Sequence, residues 1–302
     1  MKSWFCIAWG LLAVLGLEAQ APIALLDFGP AAAASRFAEL EESSASFDLR
    51  GGLIFVNAVV DGKQGRYVID TGAPGLVLNQ APQEGGDWSG NGVTGCVGVE
   101  ETMVEQFVLG NARFAHLNAY KVDLAYLEQS LGCEIDGLIG YEVLREMELV
   151  LDYPNRTITL LPLRKSDPYQ DEREGFLDFF LINHIPVVSG KLGKKDILLG
   201  VDTGAGANVL RLALGRSFEA SASGKNRVRG TDSQVKMSSV VKAPVDIEGY
   251  EEEMAQEYLL MDLSHLQSDL DRPIDGLLGF PFLQDGKWSI HYGQQRIYFW
   301  KK

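Results

Sequence analysis

Histidine and cysteine are scarce in this chain, four and three among 302 residues, and neither gathers into a cluster. His116, His184, His265 and His291 stand far apart, with no pair at the spacing by which a helix presents two metal ligands, so a zinc centre is not expected. A Gly-x-Ser-x-Gly elbow and a Gly-x4-Gly-Lys phosphate loop are both missing, which leaves serine-hydrolase and nucleotide chemistry without an anchor. Positive charge is short as well. The formal net charge of −14 argues against nucleic acid or an anionic bilayer as the main partner, because polyanions are met with Lys and Arg. Beyond the first twenty residues, no stretch reaches the roughly 18 unbroken apolar residues of a membrane helix.

Lys2, the apolar run from Trp4 to Leu17 and the small-residue exit "EAQA" read as a removable export signal over residues 1–19. The expected mature chain is exported, periplasmic or secreted, without stable membrane insertion after signal cleavage. Residues 20–47 form a leader, for which the composition leaves open a short helix with disordered flanks or an inhibitory pro-segment. Cys96 and Cys133 survive signal removal in a compartment where disulfides persist. A bridge closing a 37-residue loop, worth roughly 3 to 4 kcal/mol by chain entropy, and two separate thiols are both compatible with the sequence.

The chain contains itself twice. "LIFVNAVVDGKQGRYVIDTGA" and "EIDGLIGYEVLREMELVLDYPNRTITLLP" are matched, in the same order, by "HIPVVSGKLGKKDILLGVDTGA" and "PIDGLLGFPFLQDGKWSIHYGQQRIYFW". The two landmarks are 66 residues apart in the first unit, Asp70 to Asp136, and 73 in the second, Asp202 to Asp275. Short runs of Val, Ile, Leu and aromatics bounded by Gly, Pro, Asp and Asn predict strands and hairpins, with "LAYLEQSL" and "YEVLREM" as the few helix candidates. The fold class expected is all-β. The boundaries are 48–162 for one unit and 176–302 for the other, joined by the charged connector 163–175.

A duplicated unit tends to pack about a pseudo-two-fold axis, on which each residue near the axis meets its counterpart. Asp70 would then face Asp202. Two carboxyls so placed cannot both ionise cheaply, and the pair holds one proton, with one oxygen ready to accept and another to donate. That is general acid and base in a single site, without a metal, a cofactor or a covalent nucleophile. Gly72 and Gly204 permit tight turns and close approach, and Thr71 and Thr203 offer hydroxyls that can bond across to the opposite loop. The pattern Gly90-x-Gly92-x-x-Gly95 is not a dinucleotide fingerprint, because neither a preceding strand nor a βαβ rhythm surrounds it.

In its two Asp-Thr-Gly-Ala and two Asp-Gly-Leu-(Ile/Leu)-Gly motifs, the chain from about residue 48 onward resembles the single-chain aspartic proteases with two retropepsin-like lobes. The resemblance implies a bilobal aspartic-protease fold, with Asp70 and Asp202 catalytic and Thr71, Gly72, Ala73, Thr203, Gly204 and Ala205 completing the loops. It also implies that Leu138, Ile139, Gly140, Leu277, Leu278 and Gly279 cross behind the loops as supports, which leaves Asp136 and Asp275 as loop or cap residues. Glycine-rich flaps would lie at "WSGNGVTGCVG" (Gly90, Gly92, Gly95) and "SGKNRVRGTD" (Gly224, Gly230). A Cys96–Cys133 bridge would tether the first flap. Ala73 and Ala205 match the retroviral style, where pepsin-like enzymes place a hydroxyl. Without that hydrogen bond the acids should be less depressed and activity should peak at mildly acidic pH. The expected partner is a peptide or protein substrate held extended, with apolar residues around the cut. Both half-sites lie in one chain, so a monomer suffices. Two further readings share the scaffold: a peptide-binding or regulatory protein that no longer cuts, and a latent enzyme awaiting removal of residues 20–47.

Overall fold

Strands form because apolar residues recur either at every second position or in short unbroken runs. Within Val235–Ile247, Val241, Ala243, Val245 and Ile247 are buried while Lys242, Pro244 and Asp246 between them are exposed, so one face meets the core and the other water. The strands that lead to the two acids differ. Lys63–Ile69 and Lys195–Val201 start exposed and end with both faces buried, each hemmed in by an antiparallel neighbour and a parallel one.

The computed structural model describes residues 20–24, 26–27, 36–39, 41–82, 88–92, 96–164, 167–215, 224–230, 235–250, 254–263 and 273–301. The protein is all-β and bilobal, with short helices. In the first lobe the sheet runs Leu26–Asp27, Trp88–Gly92, Cys96–Leu109, Ala112–Val122, Leu76–Asn79, Gly137–Ile139, Lys63–Ile69, Leu53–Val60, Asp48–Arg50. The second lobe repeats that order with Gln20–Ile23, Gly224–Gly230, Val235–Ile247, Met254–Met261, Val209–Arg211, Gly276–Leu278, Lys195–Val201, Ile185–Leu192, Phe180–Ile182. Each sheet curls back on itself, through Phe107 opposite Val60 in one lobe and Gly190 opposite Ile247 in the other. Strand for strand, this is the repeat seen in the sequence. Its one intruder is the leader, which lends an edge strand to each sheet.

A third sheet joins the lobes. Its six strands are Arg173–Asp178, Arg296–Trp300, Lys287–His291, Met147–Asp152, Thr157–Pro162 and Ser43–Ser46, and its central antiparallel pair brings one lobe's hairpin against the other's, Val150 opposite Ser289. The chain therefore uses part of its leader and connector as structure. Ser43–Ser46 falls inside 20–47, and Arg173 to Gly175 inside 163–175, yet both pair with sheet strands. Arg173 anchors the connector, its guanidinium bonded to both Glu148 oxygens at 2.8 Å and stacked 3.6 Å from the Tyr298 ring centroid. Instead of a helix, the described part of the leader holds short strands.

The two helix candidates are present as Ala125–Leu131, closed by Gly132 at φ 64°, and Tyr141–Leu144. Among the described residues no helix is long and apolar enough to cross a membrane. The segment read as an export signal lies outside the described residues.

Beneath the acids the lobes exchange aromatic rings. Tyr153, at the turn of the first lobe's hairpin, packs edge-on against Phe47 at 5.9 Å and at a tilt against Phe280 of the second lobe at 6.0 Å. Its counterpart Tyr292 packs against Phe179 at 5.8 Å and Tyr141 of the first lobe at 5.2 Å. Each trio sets a ring of one lobe against a ring of the other, with Phe47 of the leader completing the first, so the lobes cannot separate without exposing both.

Candidate active site

Each acid leaves the end of a buried strand into a loop gripped from behind. Asp70 N donates to Ile139 O at 3.0 Å, and Asp202 N donates to Leu278 O at 2.9 Å. The grip continues through Tyr141 N to Ala73 O at 2.9 Å and Phe280 N to Ala205 O at 2.8 Å. The segments Leu138-Ile139-Gly140 and Leu277-Leu278-Gly279 thus hold the loops in place. Glycine ends each of them because a β-carbon there would collide with the carbonyl of Ala73 or of Ala205.

Threonine ties the loops to each other. Thr71 N donates to Thr203 Oγ1 and Thr203 N donates to Thr71 Oγ1, both at 3.0 Å. Each hydroxyl donates onward to the strand of the opposite lobe, Thr71 to Val201 O at 2.8 Å and Thr203 to Ile69 O at 2.9 Å. All four bonds are buried and related by the two-fold axis. They fix the distance between lobes at the point where the acids emerge.

Asp70 and Asp202 meet on that axis, both fully buried. The Asp70 carboxyl sits so close over Gly204 that a β-carbon on that glycine would strike it. Gly72 N donates to Asp70 Oδ1 and Gly204 N to Asp202 Oδ1, each at 2.8 Å. Oδ2 of either acid receives no donor among the described residues. Burial, and then the charge of Asp202, push the Asp70 carboxyl well above the carboxylate range. Burial also raises Asp202, to about 6, against the backbone N–H groups and the Asp70 hydrogen bond that favour its charge. Both carboxyls are held above the ordinary carboxylate range, so the pair shares one proton rather than ionising twice. The hydroxyls of Tyr153 and Tyr292 lie near enough for the dyad to raise them further above their already burial-shifted range, so both stay protonated.

The other residues read from the sequence lie outside the dyad. Asp136 and Asp275 lie away from it and clasp strands, accepting from Arg66 N at 2.8 Å and Leu198 N at 3.1 Å, and Asp275 also pairs with Arg211 at 2.6 Å. Gly90 and Gly92 lie in the strand Trp88–Gly92, which pairs with Cys96–Leu109, and Gly224 and Gly230 bound the strand Gly224–Gly230, which pairs with Val235–Ile247. Gly95 is outside the described residues. Cys133 carries a free thiol, partly buried beside Leu131 at the edge of the first lobe's core, and the side chain of Cys96 is outside the described residues.

Two features were not legible in the motifs. His184, in the turn between Phe180–Ile182 and Ile185–Leu192, is buried and places Nε2 at 3.0 Å from Gly72 O in the opposite lobe. A carbonyl can only accept, so Nε2 carries the proton. The equivalent turn of the first lobe holds Gly52, and laying the two repeats side by side would have exposed this exchange. The second feature is the leader, whose residues 22–24 and 26 lie on both acid loops: Ala24 N donates to Gly204 O at 2.9 Å and Leu26 N to Gly72 O at 3.1 Å. No protein-family model matches the chain, and no curated protein matches its sequence. Function must therefore be argued from this geometry.

Proposed function

We propose that the protein is an exported aspartic endopeptidase, a single chain whose two lobes each supply one acid to a shared hydrolytic site. The observation that carries this reading is the buried Asp70–Asp202 pair, held on the two-fold axis by the reciprocal threonine bonds. A buried like-charged pair destabilises the fold unless it holds a proton, and a pair that holds one proton can do acid and base work together. Structure alone gives no reason to keep two such acids face to face.

In the proposed reaction a water lodges between the two Oδ2 atoms. The ionised carboxyl of the Asp70–Asp202 pair takes a proton from it as its oxygen attacks the substrate carbonyl carbon, and the protonated carboxyl donates to the carbonyl oxygen. The tetrahedral diol then collapses: the C–N bond breaks, the nitrogen leaves as an amine carrying a proton returned by the dyad, and an acid remains. The rigid threonine grip keeps the carboxyls in register, which positioning of this kind requires. Substrate lies extended, pairing its backbone with the flap strands and the acid loops.

Asp70→Asn and Asp202→Asn should each lower the rate of peptide-library hydrolysis by about 10² to 10⁴. Activity should fall on the acidic side as the pair takes up its second proton near pH 6, which places the optimum in the mildly acidic to neutral range. Unchanged cleavage in either variant overturns the assignment, and peptide binding without cleavage by the unaltered dyad favours a non-catalytic binder.

A further inference from the structure

The leader passes through the cleft as an extended strand bonded along both edges. Gln20–Ile23 pairs in parallel with the flap strand of the second lobe, from Gln20 opposite Arg227 to Ile23 opposite Gly230. Leu26–Asp27 pairs antiparallel with the flap strand of the first lobe, Leu26 opposite Gly92. One parallel and one antiparallel partner is what a two-fold axis across a strand demands: the flaps are related by rotation, while the strand between them keeps one direction. On its other edge the same segment bonds the acid loops. Besides the bonds from Ala24 N and Leu26 N, Pro22 O accepts from Gly206 N at 2.8 Å, and Ile23 forms a bridge with Ala205.

The register can be read from these bonds. Gly204 and Gly72 are two-fold mates, each two residues past its acid, and they take the N–H groups of residues 24 and 26. Along the backbone, the atom midway between those two nitrogens is the nitrogen acylated by Ala24. The axis on which the dyad sits therefore falls between the N–H groups of Ala24 and Leu26, which sets the register of the chain across it. Side chains on either side fill apolar pockets. Ile23 is fully buried among second-lobe residues that include Ile185, Val209 and Leu277. Ala24 and Leu26 are fully buried among first-lobe residues that include Leu53, Val77 and Leu138.

We propose that residues 20–27 are an intramolecular substrate strand. They occupy the cleft in the register of a peptide to be cut after Ala24, so the protein is closed to other peptides until this segment leaves. Resting on the hydrolytic reading of the dyad, the register also names the substrate class: extended peptides with a branched aliphatic residue, a small residue at the cut and leucine two positions beyond it. Hydrolysis there adds water across the Ala24 carbonyl carbon and the following nitrogen, giving a carboxylic acid and a new amino terminus.

The test uses the full chain made unable to cut by Asp202→Asn, with the native leader or with Ile23→Asp and Leu26→Asp together, and a fluorescein-labelled octapeptide of residues 20–27 as probe. The doubly substituted chain should bind the octapeptide at least tenfold tighter than the chain with its native leader. Equal binding by the two, or binding by neither, overturns the proposal. Hydrogen exchange of segment 20–27 in the chain with the native leader gives a reading that survives a folding failure of the double variant: protection is expected, and exchange at the rate of the free octapeptide overturns it. Neither measurement needs hydrolysis. With Asp202 restored in the doubly substituted chain, the octapeptide should be cut once, after its Ala-5. A cut elsewhere overturns the register, whereas tight binding without a cut sinks the hydrolytic reading and leaves the occupied cleft standing.

Discussion

The two lobes agree bond for bond where the acids are held and part company a few residues further out. Both loops begin Asp-Thr-Gly-Ala, but the first continues Pro74-Gly75 and the second Gly206-Ala207-Asn208. Gly206 offers an N–H to the leader, and Pro74 has none to offer. The glycine behind the first loop, Gly140, bonds the backbone carbonyl of Gly75 at 3.0 Å, while Gly279 behind the second bonds the side chain of Asn208 at 2.9 Å. Symmetry is kept where two equal groups share one proton and is dropped where a strand with a direction must be held. A perfectly two-fold cleft would bind a peptide equally well in either orientation. The differences at Pro74, Gly206 and His184 favour one.

The symmetric half of this comparison breaks hardest at the threonines. Thr71→Val or Thr203→Val removes a hydroxyl that donates to one buried carbonyl and accepts from one buried N–H. Leaving both unpaired should cost about 2 to 5 kcal/mol, read as a lower denaturation midpoint. Because the bonds are related by the axis, the two variants should lose nearly the same amount. A gap between them of more than about half their mean would show that the grip is not shared evenly.

Neutralising the dyad should act in the opposite direction. Both carboxyls have folded-state pKa values raised above the ordinary 3.8, so their contribution is favourable while protonated and is lost as pH rises through the folded values. For Asp202 that window runs from about 4 to about 6, and by pH 7 the loss amounts to roughly 2 to 3 kcal/mol. Asp202→Asn should therefore melt higher than the parent at pH 7 and close to it at pH 4. An equal offset at both pH values would mean that the carboxyl is not held above its usual range.

The asymmetric half breaks at Asn208, which is fully buried; its side chain accepts from Gly279 N and donates to Gln256 Oε1 at 2.6 Å. Asn208→Ala orphans a buried N–H behind the second acid and should cost about 1 to 3 kcal/mol. The first lobe has no equivalent side chain to lose. If Asn208→Ala left both stability and peptide hydrolysis unaltered, the second loop would have a support other than this one.

What the sequence made legible is what repeats or alternates locally. The acids, the threonines, the supporting Leu138 to Gly140 and Leu277 to Gly279, and the hairpins about Pro154 and Gly293 each carry their own short pattern, doubled. Long-range pairing was illegible for the leader, since "PIALLD" has no counterpart in either unit, and the strands Gln20–Ile23 and Leu26–Asp27 form only through partners 64 to 207 residues away. The connector was misjudged at its end for the same reason: Arg173 looks solvated in sequence, and becomes buried because Glu148 and Tyr298 arrive from two other hairpins. His184 was passed over because a lone histidine in a turn signals nothing until the opposite lobe supplies Gly72 O.

That histidine gives the smallest and most diagnostic effect. The first lobe's turn sets both residues at positive φ, Gly51 at 58° and Gly52 at 86°, and a β-carbon at Gly52 would press on Phe280 within 3 Å. In the second lobe Asn183 takes the positive φ, at 54°, and position 184 is free of that demand. A side chain is thus admitted in one lobe and barred from the other by backbone conformation and by the closeness of Phe280. His184→Leu removes one donor from Gly72 O, which still receives Leu26 N, so the expected loss is only about 0.5 to 1.5 kcal/mol. His184→Gln keeps an N–H at a similar reach and should recover most of it in the same thermal melts. Were the leucine and glutamine variants to melt together, the ring would be acting by packing rather than by its bond, and this part of the asymmetry would be steric only.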